Sequence, residues 1–386
     1  MATRVGIITN VVPSYRQAFY KKLEQSTELS VTVFCQTHLP HFNVKLIHQQ
    51  FPEIVCLIPF RGTERGLVWQ SLPIKRLWQD FDVLVFYGNP RLLSTVLWST
   101  VFRLSRKPVI IWGQVHTAGS NKWFERIRLS WWRLFDYLFV YNDHEAHLLR
   151  QSQFFRHAII GMNNGLDQKM IDAVVTHWAS SRLHKWQQER GLDDKLCLLS
   201  IARLTQKNRF DYMIEALPKL VEKWPKLRWI VIGAGEIETQ LKAQARRNHV
   251  DQYIIWTGAI YNEYELAPWL LSAQACVHPG VIGLSLLHVF GYSLPVITHD
   301  NQHDQGPEIS AFTDQHTGLY FSQNNIDSMI EKINTLLQNP ELCREYGQNG
   351  LHKVRFQYNI EIMVERFHQI IEATQSHNED TKNEYE

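Results

Sequence analysis

The chain has 386 residues, of which 45% are hydrophobic and 20% are charged, a balance typical of a soluble globular protein and not of a disordered one. This length exceeds one ordinary hydrophobic core, so we expect two domains. The net charge is +2, but residues 1–165 carry 19 Lys and Arg against 10 Asp and Glu, whereas the remainder carries 21 against 28. A basic first half beside an acidic second half indicates two domains with different partners.

No stretch reaches the length of a membrane span, and the opening MATRVGIITN is typical of a first strand and not of a secretory signal. The five cysteines are scattered without a CxxC pair, which favours reduced thiols over a disulfide framework. We therefore expect a cytoplasmic protein, and we expect no nucleic-acid partner.

Strand-like and helix-like segments alternate along the whole chain. The strand-like runs are VGIIT, SVTVFC, VLVFYG, PVIIWG and YLFVYN, followed by LCLLSIA, RWIVIG, YIIWTG, ACVHPG and PVIT. Continuous apolar runs of this kind are typical of parallel strands buried on both faces. The pattern predicts an α/β fold of two Rossmann-like, doubly wound parallel-sheet domains. The predicted segments are a first domain at 1–165, a linker region at 166–194, a second domain at 195–355, a C-terminal helix at 356–375 that packs toward the first domain, and a disordered acidic tail at 376–386.

The segment NKWFERIRLSWWRLFDYLF of the first half has helical periodicity with many aromatic residues. At 100° per residue, one stripe predicted to face the core contains Trp123, Phe124, Ile127, Trp131, Leu134 and Phe135. Trp132 falls outside this stripe, together with Arg126, Arg128 and Arg133. Aromatic and basic side chains suit a lipid surface, so these residues predict peripheral contact with the inner leaflet of a membrane.

Ligands of doubly wound sheets bind at the carboxyl ends of the strands, where several segments of the second half have suggestive residues. In SIARLTQKNRFD, Arg203, Lys207 and Arg209 follow a strand and suit a diphosphate, although a solvated loop is an open alternative. VIGAGE lacks the third glycine of a dinucleotide fingerprint, because Glu238 occupies that position. WTGAI ends a further strand at Gly258.

The stretch HPGVIGLSLLHVFGYSLPVIT places Gly280 and Gly283 between a strand and a helix that begins near Leu284. Backbone N–H groups at such a helix start favour an anion. The order ARL…K…IEAL, IVIGAGE, WTGAI, this stretch, PEI and TGLYF resembles the donor-binding domain of the retaining glycosyltransferases of family 4 (glycosyl transferases group 1). The first half, with ITNVVPSYRQAFYKKL and NNGLD, resembles the family more loosely.

The resemblance implies the GT-B fold, in which the two Rossmann-like domains face each other across a cleft. It implies transfer of a sugar, with retention and without a metal or other cofactor, from a nucleotide-sugar donor. The implied acceptor is a glycan or a lipid-linked saccharide, in the synthesis of bacterial surface polysaccharide or lipopolysaccharide. The enzyme would then work in the cytoplasm, with possible attachment at the cytoplasmic face of the membrane.

The resemblance also implies the site residues. The implied catalytic residues are His116, Arg203 and Lys207, and the implied donor-binding residues are Gly258, Gly283, Leu284, Ser285, His288 and Glu308. The family carries two glutamates spaced E-x7-E, and here Gly280 and His288 occupy both positions. His288 can still form one hydrogen bond to a ribose hydroxyl. Lys207 is a shifted assignment, because Asn208 occupies the position of the family's lysine.

Five alternatives stay open at this stage. The loss of both motif glutamates is compatible with a catalytically silent relative that binds a sugar nucleotide, and a sugar-nucleotide epimerase uses the same fold. A loop histidine without a ligand is an alternative for His116, and a packed helix residue is an alternative for His288. The run His299, Asp300, His303 and Asp304 suggests a metal site, but a polar loop after a strand explains it without a metal.

Overall fold

The structure, a computed structural model, is described for residues 2–37, 46–62, 66–116, 122–152 and 158–383, and for residues 122 and 376–383 it is described by the backbone alone. The chain divides into two compact units. The first comprises Met1–Asn164 with Ile360–Glu386, and the second comprises Gly165–Asn359. Every described helix is too short or too polar to span a lipid bilayer.

The first unit is built on a parallel sheet in the order β3-β2-β1-β6-β7-β8-β9, beside a two-stranded β4–β5 hairpin. Its strands are β1 Thr3–Ile8, β2 Leu29–Cys35, β3 Val55–Leu57, β4 Phe60–Gly62, β5 Val68–Gln70, β6 Val83–Tyr87, β7 Val109–Gly113, β8 Tyr137–Val140 and β9 Ala158–Gly161. Its first five helices are α1 Gln17–Glu24, α2 Ile74–Gln79, α3 Leu93–Leu104, α4 Lys122–Trp132 and α5 Asp143–Gln151. The Val- and Ile-rich strands are buried on both faces, as predicted for parallel strands.

The second unit is a parallel sheet in the order β12-β11-β10-β13-β14-β15. Its strands are β10 Leu196–Ile201, β11 Leu227–Ile232, β12 Ile254–Gly258, β13 Ala275–His278, β14 Val296–His299 and β15 Gly318–Phe321. Its helices are α6 Gln168–His177, α7 Ser180–Glu189, α8 Phe210–Lys223, α9 Glu238–Arg247, α10 Glu263–Leu271, α11 Ser285–Gly291, α12 Ile326–Gln338 and α13 Pro340–Phe356.

Both sheets reverse their strand order once, and these reversals locate the ligand crevices. In the first unit the reversal lies between β1 and β6, and in the second it lies between β10 and β13. Ligands of open α/β sheets bind outside the carboxyl ends of the strands at such a switch point. The prediction of two Rossmann-like parallel-sheet domains is therefore confirmed.

Two predicted segments, the linker region and the disordered tail, differ from the structure. Residues 166–194, predicted as a separate linker, belong to the second unit, where α7 packs Trp186 edge-on against Trp269 with 4.7 Å between ring centroids. The last helix, α14 Ile360–Asn383, belongs to the first unit, where Phe367 stacks on Phe139 at 5.3 Å. Its backbone stays helical over residues 376–383, predicted as a disordered tail, because no Pro or Gly interrupts the segment.

The predicted core stripe of α4 is wrong for most of its members. Trp132, predicted to lie outside it, is completely buried, as is Phe135, and Trp131 is nearly so. Trp123, Phe124, Ile127 and Leu134 are instead 41–61% exposed. The reason lies in two glycines, because a Cβ on Gly88 or Gly113 would come within 2.6 Å or 2.4 Å of the Trp132 indole. The indole fills the space that these glycines leave, and this rotates the buried face of α4.

Replacing Trp132 by Ala is expected to lower the free energy of unfolding by about 3–5 kcal/mol, since it removes a completely buried indole. The matched control is Trp123→Ala on the same helix, which should change the free energy by less than about 0.5 kcal/mol because this side chain is exposed. Chemical denaturation of both variants measures the difference. Equal losses would contradict the rotated packing of α4.

Candidate active site

The loop after β10 presents two cations at the switch point of the second sheet. Arg203 and Lys207 are exposed, and within the described part of the chain their side chains form no hydrogen bond or ion pair. Arg209, the third cation of this segment, differs because its guanidinium lies 3.0 Å from Asp211. Arg203 and Lys207 thus keep their full capacity to bind an anion.

Close backbone contacts fix the position of this loop. A Cβ on Gly235 would lie 2.2 Å from the carbonyl oxygen of Leu204, and one on Gly280 would lie 2.0 Å from that of Lys207. The Val281 N–H donates to the same Lys207 carbonyl at 3.2 Å. The loop is therefore held between the turn after β11 and the turn after β13. No side chain fits at position 280 without displacing backbone, so the absence of a glutamate there has a steric cause.

The start of α11 lies directly after this contact. Leu286 N–H donates to the Gly283 carbonyl and His288 N–H donates to the Leu284 carbonyl, so the amides of Gly283, Leu284 and Ser285 precede the first bonds of the helix. The turn before it is fixed by Ile282, whose N–H donates to Gln305 Oε1 at 2.7 Å.

Glu308 lies in a short 3-10 helix, Pro307–Ala311, in the segment that follows β14. It is buried, and its Oε2 lies 3.8 Å from the position that a Cβ on Gly283 would occupy. The structure thus brings Glu308 next to the predicted phosphate-binding turn. A carboxylate at this place adds negative charge, so a diphosphate depends more on the cations of the β10 loop.

His288 is paired with a carboxylate that the sequence analysis did not single out. Its Nε2 lies 2.8 Å from Oε1 of Glu263, the first residue of α10, and the Tyr292 hydroxyl donates to the same oxygen at 2.5 Å. Burial raises the pKa of Glu263, but the hydrogen bonds and charge of His288 and the bond from Tyr292 outweigh it and leave this pKa below its ordinary value. An ionised carboxylate therefore lies beside the position where relatives carry their second glutamate.

Gly258 ends β12 with a φ of +74°, a conformation that favours glycine. Its carbonyl accepts from the Gly233 N–H at 2.9 Å, which ties together the ends of β11 and β12. Among the described residues, none has an atom within 4 Å of the position that a Cβ on Gly258 would occupy. The strand end is thus open toward a ligand.

His116 lies in the first unit, three residues after β7. Its Nδ1 lies 2.9 Å from Glu125 Oε1, and its backbone N–H donates to Glu145 Oε1 at 3.1 Å. The other oxygen of Glu145 accepts from the Tyr141 N–H, and burial raises the pKa of Glu145 to about 7 although these backbone bonds act against it. Glu145 therefore fixes the backbone at His116, and Glu125 orients the imidazole.

The described ranges contain no group of three His, Cys, Asp or Glu side chains that could hold a metal ion. In the candidate metal run, His299 is buried at the end of β14, and burial lowers its pKa. The rest of the run lies in a loop, where Asn301 and Gln323 donate hydrogen bonds to Asp304.

Most of the predicted donor-binding residues thus lie at the carboxyl ends of β10, β12, β13 and β14 of one sheet, whereas His116 lies in the other unit. Glu263 was not predicted from the sequence. Its position soon after the end of β12 is the only sequence feature that could have indicated it. Glu145 was also not predicted, because its side chain has no motif and is identified by burial alone.

The fold is similar to that of several solved structures. The structure of HepE from Anabaena with bound UDP has a TM-score of 0.70 and 12% sequence identity, and the match covers 97% of this chain and 100% of that chain. HepE has also been solved with UDP-glucose. The chain has the two-domain GT-B fold.

Residues 184–353, which lie within the second unit, match the family model described as "Glycosyl transferases group 1", and the predicted resemblance is confirmed. An uncharacterized glycosyltransferase of Haemophilus influenzae is 24% identical over 180 residues, which cover 45% of this chain and 48% of that protein. The alpha-monoglucosyldiacylglycerol synthase of Acholeplasma laidlawii is 22% identical over 180 residues, which cover 45% and 43%. The chain spans about half the length of the curated relatives that it matches.

Replacing Gly280 by Ala is expected to cost about 1–3 kcal/mol of stability, because its Cβ would have to displace the Lys207 carbonyl. The matched control is Gly283→Ala, whose Cβ meets only Glu308 at an ordinary distance of 3.8 Å and should leave stability nearly unchanged. Thermal unfolding of both variants measures the effect. A tolerated Gly280→Ala would contradict the close contact.

Proposed function

We propose that the protein transfers a sugar from a nucleotide-sugar donor to a hydroxyl group of a glycan or lipid-linked acceptor. The proposal rests on Arg203 and Lys207, two exposed cations whose side chains form no hydrogen bond or ion pair with the described residues. They lie at the switch point of a glycosyl transferases group 1 domain. Support also comes from HepE, a protein of the same fold that binds UDP and UDP-glucose.

In this proposal the donor diphosphate lies between the β10 loop and the start of α11. Arg203 and Lys207 stabilise the charge that develops on the leaving phosphate, and the amides of Gly283, Leu284 and Ser285 donate to its oxygens. Such preorganised donors act without rearrangement during the reaction. The acceptor hydroxyl attacks the anomeric carbon on the face from which the diphosphate departs. The bond from this carbon to the diphosphate breaks and the departing phosphate oxygen takes the hydroxyl proton, which gives retention without a protein nucleophile.

The nucleoside part of the donor lies toward β12. Gly258 leaves space for the base, and the His288–Glu263 pair faces the ribose diol. A carboxylate accepts hydrogen bonds from two hydroxyl groups, so Glu263 supplies the acceptor atoms that position 288 lacks. The proposed role of His116, oriented by Glu125, is to bind a sugar.

The acceptor belongs to the synthesis of surface polysaccharide, lipopolysaccharide or glycolipid. The alpha-monoglucosyldiacylglycerol synthase of Acholeplasma laidlawii, which matches the same region, is named for a lipid product. A silent relative would bind the nucleotide without turnover, and an epimerase would convert the donor with no acceptor present.

Arg203→Ala is expected to weaken binding of a nucleoside diphosphate at least tenfold while leaving binding of the nucleoside unchanged, since charged hydrogen bonds contribute about 1.5–3 kcal/mol each. Arg344→Ala, which removes a 73% exposed arginine of α13 in the same unit, is the matched control and should change neither affinity. Calorimetric titration with UDP and uridine measures both. An equal loss for the two ligands would refute the phosphate role of Arg203.

We also infer that no metal ion takes part in the transfer, because side-chain cations and backbone amides meet the diphosphate. Turnover of the donor should then be unchanged in excess EDTA. Loss of activity that returns on addition of Mg²⁺ or Mn²⁺ would contradict this inference.

Peripheral membrane contact is proposed for the surface formed by α3 and α4. The two helices cover the same face of the first sheet, and Arg103 of α3 lies 2.5 Å from Asp136, just after α4. The exposed apolar residues of this surface are Leu93, Leu97, Val101 and Leu104 on α3 and Trp123, Phe124 and Ile127 on α4. The exposed cations Arg126 and Arg133 complement anionic lipid head groups.

The double variant Trp123→Ala/Phe124→Ala is expected to reduce binding to phosphatidylglycerol vesicles at least tenfold, with little change in stability. The matched control is Tyr261→Ala/Phe356→Ala, which removes two aromatic residues of the second unit that are similarly exposed, at 87% and 62%. Vesicle sedimentation measures both. Equal binding by the two double variants would remove α4 from the contact.

A further inference from the structure

Arg16 lies at the carboxyl edge of the first sheet, where the chain turns after β1. Its guanidinium carbon lies 4.3 Å from the centroid of the Trp112 ring and 5.9 Å from that of Tyr141. Trp112 pairs in register with Tyr87 at the ends of β7 and β6, and Tyr141 directly follows β8. The cation therefore lies at the ends of three adjacent parallel strands, the edge at which open α/β sheets bind ligands.

This guanidinium lacks a counterion. No carboxylate of the described residues lies within 4.0 Å of it, and its Nε is enclosed without a hydrogen-bond partner. The ionisable side chains that act on it most strongly are four tyrosines, which are uncharged at neutral pH: Tyr15, Tyr20, Tyr87 and Tyr141. The Tyr20 hydroxyl is a hydrogen-bond partner of the guanidinium. Most of its five N–H donors still have no protein acceptor among the described residues, which is costly for a partly enclosed cation.

Other arginines of the same unit are compensated. Arg103 lies 2.5 Å from Asp136, Arg366 lies 2.8 Å from Asp143, and Arg128 donates to the Val115 carbonyl. The Nε atoms of Arg103 and Arg128 are also enclosed without a partner, but Arg16 differs in having no carboxylate or carbonyl partner among the described residues. Stacking on Trp112 fixes its position. Stacking satisfies the face of a guanidinium and leaves its in-plane donors for a ligand.

We propose that Arg16 binds an anionic group, a phosphate or a carboxylate, of the acceptor. The planar fork of the guanidinium suits two oxygens of either group, while Trp112 and Tyr141 hold it at the strand ends. The assignment to the acceptor rests on the proposed function, because the donor diphosphate is assigned to the second unit. The presence of an anion-binding site in the first unit does not depend on that function.

Calorimetric titration with two anionic probes and their neutral counterparts tests the site. Geranyl phosphate stands for a lipid-linked phosphate and glucuronic acid for a sugar carboxylate, with geraniol and glucose as neutral controls. UDP at saturation occupies the donor site. We expect one anionic probe to bind, its neutral counterpart not to bind, and Arg16→Gln to lower the affinity of that probe at least tenfold.

The matched control is Arg190→Gln in the second unit, which removes an arginine stacked at 4.2 Å on Trp186 and should leave binding of the probe unchanged. Titration of Arg16→Gln with UDP should match the wild type, so failure of the donor site and failure of this site are distinguishable. Binding of neither anionic probe, or binding of a probe with equal affinity to wild type and Arg16→Gln, would overturn the proposal.

Hydrogen exchange on the wild-type protein keeps the test decisive if Arg16→Gln does not fold. With UDP at saturation throughout, the probe that binds should slow exchange in residues 9–24, which contain Arg16, and leave residues 180–192 around Arg190 unchanged. Absence of protection in residues 9–24 would contradict the site.

Discussion

The candidate site of the second unit depends on one constraint, the close approach of backbone at the switch point of the sheet. Gly235 and Gly280 leave no room for a side chain against the loop that carries Arg203 and Lys207. This contact fixes two cations beside the start of α11 and at the same time excludes a glutamate at position 280. The same packing therefore explains the absence of a glutamate at position 280 and the position of Arg203 and Lys207.

At position 288, a histidine stands where a glutamate was expected, and the carboxylate beside it comes from another helix. Glu263 reaches the position from the start of α10, and His288 and Tyr292 share its Oε1. Two hydrogen-bond partners on one oxygen keep the carboxylate ionised and fixed in place. A carboxylate can thus lie beside His288 although position 288 itself carries none.

The sequence predicted the alternating strands and helices of the two sheets. It also predicted the loops of the candidate site that follow strand ends. Continuous apolar runs predicted the parallel strands, and glycines and cations after them predicted the loops at Arg203, Gly258 and Gly283. Periodicity failed for α4, because the position of Trp132 is decided by space beside Gly88 and Gly113 on other strands. Glu263, Glu145 and the uncompensated Arg16 were also beyond the sequence, since each acquires its role from residues distant along the chain.

A crystal structure of the protein with a bound nucleoside diphosphate tests the central claim most directly. We expect phosphate oxygens within hydrogen-bond distance of the Arg203 guanidinium, the Lys207 amine and the amides of Gly283 to Ser285. We expect the ribose hydroxyls at Glu263. Phosphates bound away from the loop after β10, with Arg203 and Lys207 unchanged and in solvent, would contradict it.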